Sequence, residues 1–272
     1  MNNKKNLDKE PRATINPYRS AAGLLFHRLL WDMHPYSWRS RKKIKAWQNK
    51  FSGKKAVILC NGPSLNQVNF DDLTTSGVFT FGLNKINLLF KRSDFRPSVI
   101  VAVNSHVIEQ NSEFYNKTNI PLFLDSKGRK WIKSRNNVYF LHSADGGEKF
   151  AKDCSISIKQ GNTVTYVGMQ LAFHMGFEEV ALVGCDHSFA TKGPANKIVT
   201  AGREDVNHFD SSYFSRGVKW QLPDITASEL HYEIARDTFE RHARKIINCT
   251  DGGKLEVFSR QLLSKFLQNN NR

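Results

Sequence analysis

Ala56-Val57-Ile58-Leu59-Cys60-Asn61-Gly62-Pro63-Ser64-Leu65 is the stretch that decides the fold. Its first five residues form an unbroken apolar run, as a strand buried on both faces does. The chain then turns. Gly62 permits a tight bend and close approach of backbone to a ligand. Pro63 lacks an amide donor and stiffens the bend. Asn61 and Ser64 offer short polar side chains, and the amides opening the next helix favour a phosphate. The spacing is neither the GxGxxG fingerprint nor the GxxxxGK[ST] phosphate loop. A plain turn would use the same glycine and proline, so both readings stand here.

The same strand signal recurs outward from this point. Residues 78–81 and 99–103 are apolar runs, residues 121–124 and 138–141 are shorter ones, and 180–183 is another. Residues 163–175 carry a helical apolar period that stops at Gly176, and residues 227–243 form a long amphipathic helix before Ile246-Ile247. Strands alternating with helices predict an α/β fold with a Rossmann-like, mostly parallel sheet flanked by helices.

Ligands of such sheets bind beyond the carboxyl ends of the strands, which makes the residues after each strand informative. Asn84 follows the second strand and Asn104 the third. Two side-chain amides on one sheet edge suit a base or sugar edge, although Asn is also a common turn residue. Thr163, after Gly161-Asn162, is a natural helix N-cap beside a seat for phosphate. Gly184-Cys185-Asp186-His187-Ser188-Phe189 puts an acid and an imidazole at one strand end. Asp205-Val206-Asn207-His208-Phe209-Asp210, with Tyr213, lies in a long aperiodic segment of the kind that covers active sites. His208 is a candidate general base, or it orders the segment by hydrogen bonds.

Composition bounds the reading. Of 272 residues, 40% are hydrophobic and 11% aromatic, which excludes a disordered chain. Cys60, Cys154, Cys185 and Cys249 show no metal-ligand rhythm and read as buried thiols in a reducing compartment. There is no apolar stretch of about 20 residues and no signal-peptide core, so a cytoplasmic protein is expected. The net charge of +15 is lopsided: residues 1–55 hold 14 Lys/Arg against 3 Asp/Glu, about +11 of the total. This predicts a basic helical N-terminal arm over residues 1–52 and a separate domain over 53–272. In the arm, Ser20 is the expected N-cap of a helix through Leu24, Leu25, Phe26, Leu29, Leu30, Trp31 and Met33, with Pro35 ending it. Residues 37–47 mix Lys and Arg with two tryptophans. The arm, about residues 18–50, is either an interfacial anchor for the anionic inner membrane, making the protein peripheral there, or a helix packed on the domain with a basic outer face. No nucleic-acid motif accompanies the charge, and no nucleic-acid partner is expected.

Asn61-Gly62-Pro63-Ser64-Leu65, Asn84, Asn104, Thr163 with its helix, and Val183-Gly184-Cys185-Asp186 resemble bacterial sialyltransferases that use CMP-sialic acid. They equally resemble the wider 6-hydroxymethylpterin diphosphokinase-like family, which includes flagellin glycosylation factors. The likeness covers about residues 54–258. His208-Phe209-Asp210, Tyr213-Phe214 and the tail from Asn248 to Phe258 look more like the wider family. The resemblance implies a nucleotide-binding transferase domain, with Asn61, Gly62, Pro63, Ser64, Asn84, Asn104, Thr163 and Gly184 around the nucleotide and donor. It also implies His208, Tyr213 and Asp186 in catalysis. The chain has Thr163-Val164-Thr165 where the sialyltransferase pattern has Thr-Ser-Gly, and Ser188 where a phosphate-binding Tyr stands.

Three functions follow from this. The first is a metal-independent glycosyltransferase taking a CMP-activated, sialic-acid-like keto sugar to a surface glycan or glycolipid, with no cofactor; no DxD motif is present. The second is a diphosphokinase moving diphosphate from ATP to a pterin alcohol, with Mg²⁺ held by carboxylates such as Asp186, Asp205 or Asp210. The third is a nucleotide-binding protein without chemistry.

Overall fold

The computed structural model describes residues 16–144, 148–188, 198–200, 205–214, 217 and 219–268. Phe189 and the charged residues before Asn16 lie outside them. Chain order opens with two helices, α1 (Pro17–Asp32) and α2 (Pro35–Lys45). Then come β1 (Lys55–Leu59), a 3₁₀ turn (Pro63–Gln67), α3 (Phe70–Ser76), β2 (Phe79–Leu83) and β3 (Val99–Ala102). α4 (Ser105–Gln110) and α5 (Ser112–Lys117) lead to β4 (Leu122–Asp125) and β5 (Val138–Leu141). The central helix α6 (Val164–Met175) precedes β6 (Glu179–Val183) and a ribbon of β7 (Ile198–Thr200) and β8 (Lys219–Gln221). α7 (Ile225–Glu240), β9 (Lys245–Asn248) and α8 (Leu263–Gln268) close the described chain.

Seven strands form one parallel sheet in the order β5-β4-β3-β2-β1-β6-β9. The order runs outward from β1 in both directions, so the topology reverses between β1 and β6. The unbroken apolar run of β1 now has its reason. Ala56 and Ile58 pack into one core layer, while Val57 and Leu59 pack into the other. β6 divides in the same way, Val180 and Leu182 against Ala181 and Val183. Each valine, leucine or isoleucine among them contributes roughly 1.5–3 kcal/mol by leaving water. α6 is apolar nearly all round because it is buried nearly all round. Thr163 caps its start, and Gly176 ends it at φ +95°.

The N-terminal helices begin differently from the expectation. α1 starts at Pro17, with Asn16 accepting from the amides of Tyr18 and Arg19 at 3.0 and 3.2 Å. The fixed φ of proline makes it a good first helical residue, so the start lies upstream of Ser20. Pro35 uses the same chemistry to begin α2, with His34 as its cap. The expected division at residue 52 falls within packed structure. Ser40 Oγ accepts from the Phe140 amide of β5 at 3.1 Å. Trp47 packs on Phe51, Phe79, Phe123 and Tyr139, and Phe51 stacks on Phe177. Residues 35–51 thus close one face of the sheet, and the charge asymmetry that marked them as an arm describes only their outer side.

Candidate active site

A cavity of about 610 Å³ opens at the carboxyl edge of the sheet, across the reversal between β1 and β6. That size and place are those of a small-molecule site.

Its floor is made by two glycines. β1 and β6 continue their ladder past the strand ends, Cys60 N donating to Val183 O at 2.8 Å and Gly62 N to Gly184 O at 2.9 Å. A Cβ on Gly62 would lie 1.9 Å from Asp186 Oδ2 and 2.7 Å from Gly184 O. A Cβ on Gly184, whose φ is +68°, would lie 2.7 Å from Cys60 O. Both residues line the cavity, and both are glycine because two backbones and a carboxylate meet there.

Asp186 has a defined task. Its carboxylate accepts from the Ser64 amide at 3.2 and 3.3 Å and from Ser64 Oγ at 2.8 Å. The amide expected to receive a phosphate therefore already serves a carboxylate, which repels phosphate. Asp186 acts as a clamp on the turn. Pro63 opens the 3₁₀ turn, and the cavity wall takes Asn61 and Gly62 from this loop but neither Pro63 nor Ser64. A better seat for an anion faces the cavity from the other side. Gly161 and Asn162, both left-handed (φ +54° and +59°), lead into the N-terminus of α6 at Thr163, where the helix dipole favours negative charge. Thr163 Oγ1 accepts from the Thr165 amide at 3.3 Å, so its side chain caps the helix.

The asparagines differ in what they have left to offer. Asn104 lines the cavity, but its Oδ1 caps α4, accepting from the amides of His106 and Val107. Asn61 Nδ2 donates to Leu83 O at 3.0 Å and to Tyr213 Oη at 3.3 Å. Asn84 sits at φ +47°. Among the described residues, Asn61 Oδ1 and Asn84 Oδ1 are shielded from solvent yet accept no hydrogen bond. Buried polar atoms are rarely left so, and both residues border the cavity. They are ready acceptors for ligand N–H or O–H groups.

The segment around residues 205–214 borders the cavity through Asn207, His208, Tyr213 and Phe214 and is pinned to the loops after β1 and β2. Phe209 N donates to Asn61 O at 2.9 Å, Asn66 Nδ2 to Phe209 O at 3.0 Å, and Lys85 Nζ to Tyr213 O at 2.8 Å. On it, His208 Nδ1 meets Asp205 Oδ2 at 2.8 Å. The His208 ring lies flat on Tyr213, centroids 3.9 Å apart at 4°. Burial works to raise Asp205, but hydrogen bonds from His208 and the Asn207 amide prevail and hold its carboxyl below the usual range. A proton fixed on Nδ1 puts the imidazole's basic lone pair on Nε2. Tyr213 is the platform. Its ring is buried beneath His208, and burial pushes its hydroxyl well above the ordinary tyrosine range. Its Oη accepts from Asn61. Burial lowers Lys85, behind Tyr213, to about 8, against the pull of Asp205.

Several lining residues escaped the sequence reading. Ser228, His231 and Tyr232 face the cavity from α7, and Glu229 on the same helix meets His187 Nε2 at 3.0 Å. The i, i+3, i+4 spacing of polar Ser228, His231 and Tyr232 was the available signal. Cys60 and Cys185 also line the cavity; hydrogen bonding with Cys185, with burial, pushes the Cys60 thiol well up, so neutral thiol prevails there.

A parallel sheet wound both ways from β1, with a cavity at the reversal, defines the class: a doubly wound α/β domain with a switch-point site. Within that class, the chain belongs to the MptE-like family, whose model, described as 6-hydroxymethylpterin diphosphokinase MptE-like, matches residues 35–192. No curated protein matches the chain. Among solved structures it is similar to the MAf glycosyltransferase from Magnetospirillum magneticum AMB-1, with a TM-score of 0.50 at 16% identity. That alignment covers 86% of this chain and 39% of the other, so the chain spans about two-fifths of that protein's length, and the likeness is one of fold.

Proposed function

We propose that the protein is a glycosyltransferase that moves a CMP-activated, sialic-acid-like keto sugar to a hydroxyl of a surface glycan or glycolipid, without a metal. The observation that carries this reading is the Asp205-oriented imidazole of His208 at the mouth of a cavity bordered by the N-terminus of α6. In the proposed reaction His208 Nε2 takes the proton of the acceptor hydroxyl as its oxygen bonds to the anomeric carbon. The bond from that carbon to the phosphate oxygen breaks, and CMP departs with its phosphate against the start of α6. Asn61 Oδ1 and Asn84 Oδ1 accept from the nucleotide or sugar. Asp186 shapes the turn and Tyr213 carries His208, so both act as positioning residues. The glycosyltransferase named among similar folds agrees with this class of reaction.

A second reading is favoured by the family's description: Mg²⁺-dependent diphosphoryl transfer from ATP to a pterin alcohol. The carboxylates it would need are engaged elsewhere. Asp186 holds Ser64, Asp205 holds His208, and Asp210 accepts from Ser212 N and Oγ. Of these three carboxylates only Asp186 lines the cavity, which weighs against a Mg²⁺ site built from them.

Thermal shift against CMP, CDP, CTP and ATP, each with and without Mg²⁺, separates the readings. A ligand at 100 times its Kd adds about 2.7 kcal/mol. Stabilisation by CMP or CDP without metal supports the transferase, stabilisation by ATP only with Mg²⁺ supports the kinase, and binding without turnover on any acceptor leaves a binding protein. Asp205→Asn and His208→Ala each lower transfer about 10²- to 10⁴-fold with CMP affinity kept. Full activity of His208→Ala removes the general-base assignment.

A further inference from the structure

α1 carries large apolar side chains outward as well as inward. Trp31 is buried and stacks on His142, just beyond β5. Arg28, on the same side, donates to Ile156 O at 2.8 Å. At 3.6 residues per turn, Leu25, Leu29, Met33, Phe26 and Leu30 fall on an arc of about 140° centred opposite Trp31. Their exposures are 66, 58, 74, 60 and 53%. An outward apolar face of this extent on a folded protein marks a binding surface.

The adjoining helix supplies charge. α2 buries Ser37, Ser40 and Ile44, and the opposite side shows Trp38, Arg39 and Lys42 to solvent. Trp38 is 65% exposed, and its Nε1 donates to Asp32 O at the end of α1, joining the apolar and basic surfaces. Arg41 and Lys45 are paired with Asp32 and Asp153, which leaves Arg39 and Lys42 as the outward cations of this helix among the described residues.

We infer that the outer faces of α1 and α2 form a docking surface for an anionic lipid bilayer. Charge chooses the occupant. Arg39 and Lys42 face outward beside Trp38, and α2 has no acidic residue to offset them, so two copies meeting through this face would set these cations against each other, whereas an anionic leaflet attracts them. Aromatic and leucine side chains beside Lys and Arg are also what an interfacial helix presents to headgroups and acyl chains. No helix among the described residues is long and apolar enough to cross a membrane, so α1 lies along the surface. Trp31 anchors α1 beside the carboxyl end of β5, the sheet edge at which the cavity opens. A membrane-borne acceptor would thus approach from the docked side. The docking surface itself does not rest on the transfer chemistry.

The test is flotation of the full chain with vesicles of phosphatidylcholine alone and of phosphatidylcholine with phosphatidylglycerol, read without any substrate. The chain floats with the anionic vesicles, less so as salt rises. Arg39→Ala/Lys42→Ala weakens partition about thirtyfold, at about fivefold for each cation removed. Phe26→Asp/Leu29→Asp, at exposed positions, abolishes flotation and leaves far-UV circular dichroism and the thermal transition unchanged. Flotation equal for the wild type and Phe26→Asp/Leu29→Asp overturns the inference. So does a wild type that stays unbound and sediments as a dimer that this variant converts to monomer, which assigns the face to a second copy.

Discussion

Gly62→Ala is the sharpest test of how the cavity floor is built. The added Cβ would sit 1.9 Å from Asp186 Oδ2 and 2.8 Å from its Cγ, so the carboxylate must leave its place. In leaving, it gives up the Ser64 amide and hydroxyl. Hydrogen bonds to a charged group contribute about 1.5 kcal/mol or more each, so this loss costs about 3 kcal/mol. The remaining contact, 2.7 Å to Gly184 O, involves backbone and adds about 1–2 kcal/mol of overpacking. Gly62→Ala should therefore lower unfolding free energy by about 4–5 kcal/mol, a large share of the 5–15 kcal/mol typical of a domain. Asp186→Ala alone gives up the same two bonds and should cost about 3 kcal/mol. In that background the side-chain clash is gone, and adding Gly62→Ala should cost only about 1–2 kcal/mol. Urea titrations of the wild type, both single variants and the double variant read out the cycle. A coupling near 3 kcal/mol is expected. Additivity within about 0.5 kcal/mol would falsify the clamp, because Asp186 would then not be what Gly62 makes room for.

Asn84→Gly keeps the left-handed backbone at φ +47° while removing the shielded amide oxygen. Calorimetry should show the bound nucleotide weakened about three- to tenfold, and an unchanged Kd would remove Asn84 from the ligand's partners. His174 is buried, its Nε2 on Ile44 O at 3.0 Å, and burial holds its pKa below 6.5. The unfolded chain then binds a proton that the folded one refuses. Stability attached to this residue is present above 6.5 and falls as pH drops below it, so His174→Gln should flatten the denaturation profile below about pH 6.5; parallel profiles refute this. A chain starting at Pro35 should unfold cooperatively like the full chain, whereas one starting at Ser52 should lose its cooperative transition. Removing Trp47 from its four aromatic neighbours alone costs about 3–5 kcal/mol, and equal transitions for the two chains would refute the packing of residues 35–51.

Most of the fold was legible because its signals are local. Apolar runs at β1, β3 and β6 and the capped period of α6 are fixed by burial on both sheet faces, which leaves no room for polar interruption. The reversal between β1 and β6 followed from none of these runs, since strand order depends on contacts far apart in sequence. Charge left two readings of residues 35–51 open, and the packing agrees with the helix that rests on the domain with a basic outer face: Lys and Arg record the outward side of α2, while Trp47 and Phe51 record the inward one. At the site, sequence located the loops but not their commitments. Asp186 and His187 are adjacent in the chain, yet one closes on Ser64 and the other on Glu229. The pairing of His208 with Asp205, three residues upstream, is local and was within reach of pattern. The stacking on Tyr213 depends on a backbone path through Phe209 and Asn61 that spacing does not encode.

That path has a mechanistic consequence. The proposed base is not mounted on a scaffold of its own. The segment carrying His208 hangs from the first loop through Phe209 N on Asn61 O and Asn66 Nδ2 on Phe209 O, and from the end of β2 through Lys85 Nζ on Tyr213 O. Asn61 also faces the cavity with its shielded oxygen and holds Tyr213 Oη with its nitrogen. A ligand that engages Asn61 Oδ1 therefore polarises the amide that holds the platform beneath His208, since hydrogen bonds in series strengthen one another. In the proposed reaction, donor binding and placement of the base would then be coupled through one side chain. Lys85 and Asn66 sit on the far side of that coupling, away from the donor, and their loss should lower turnover while leaving donor affinity nearly intact.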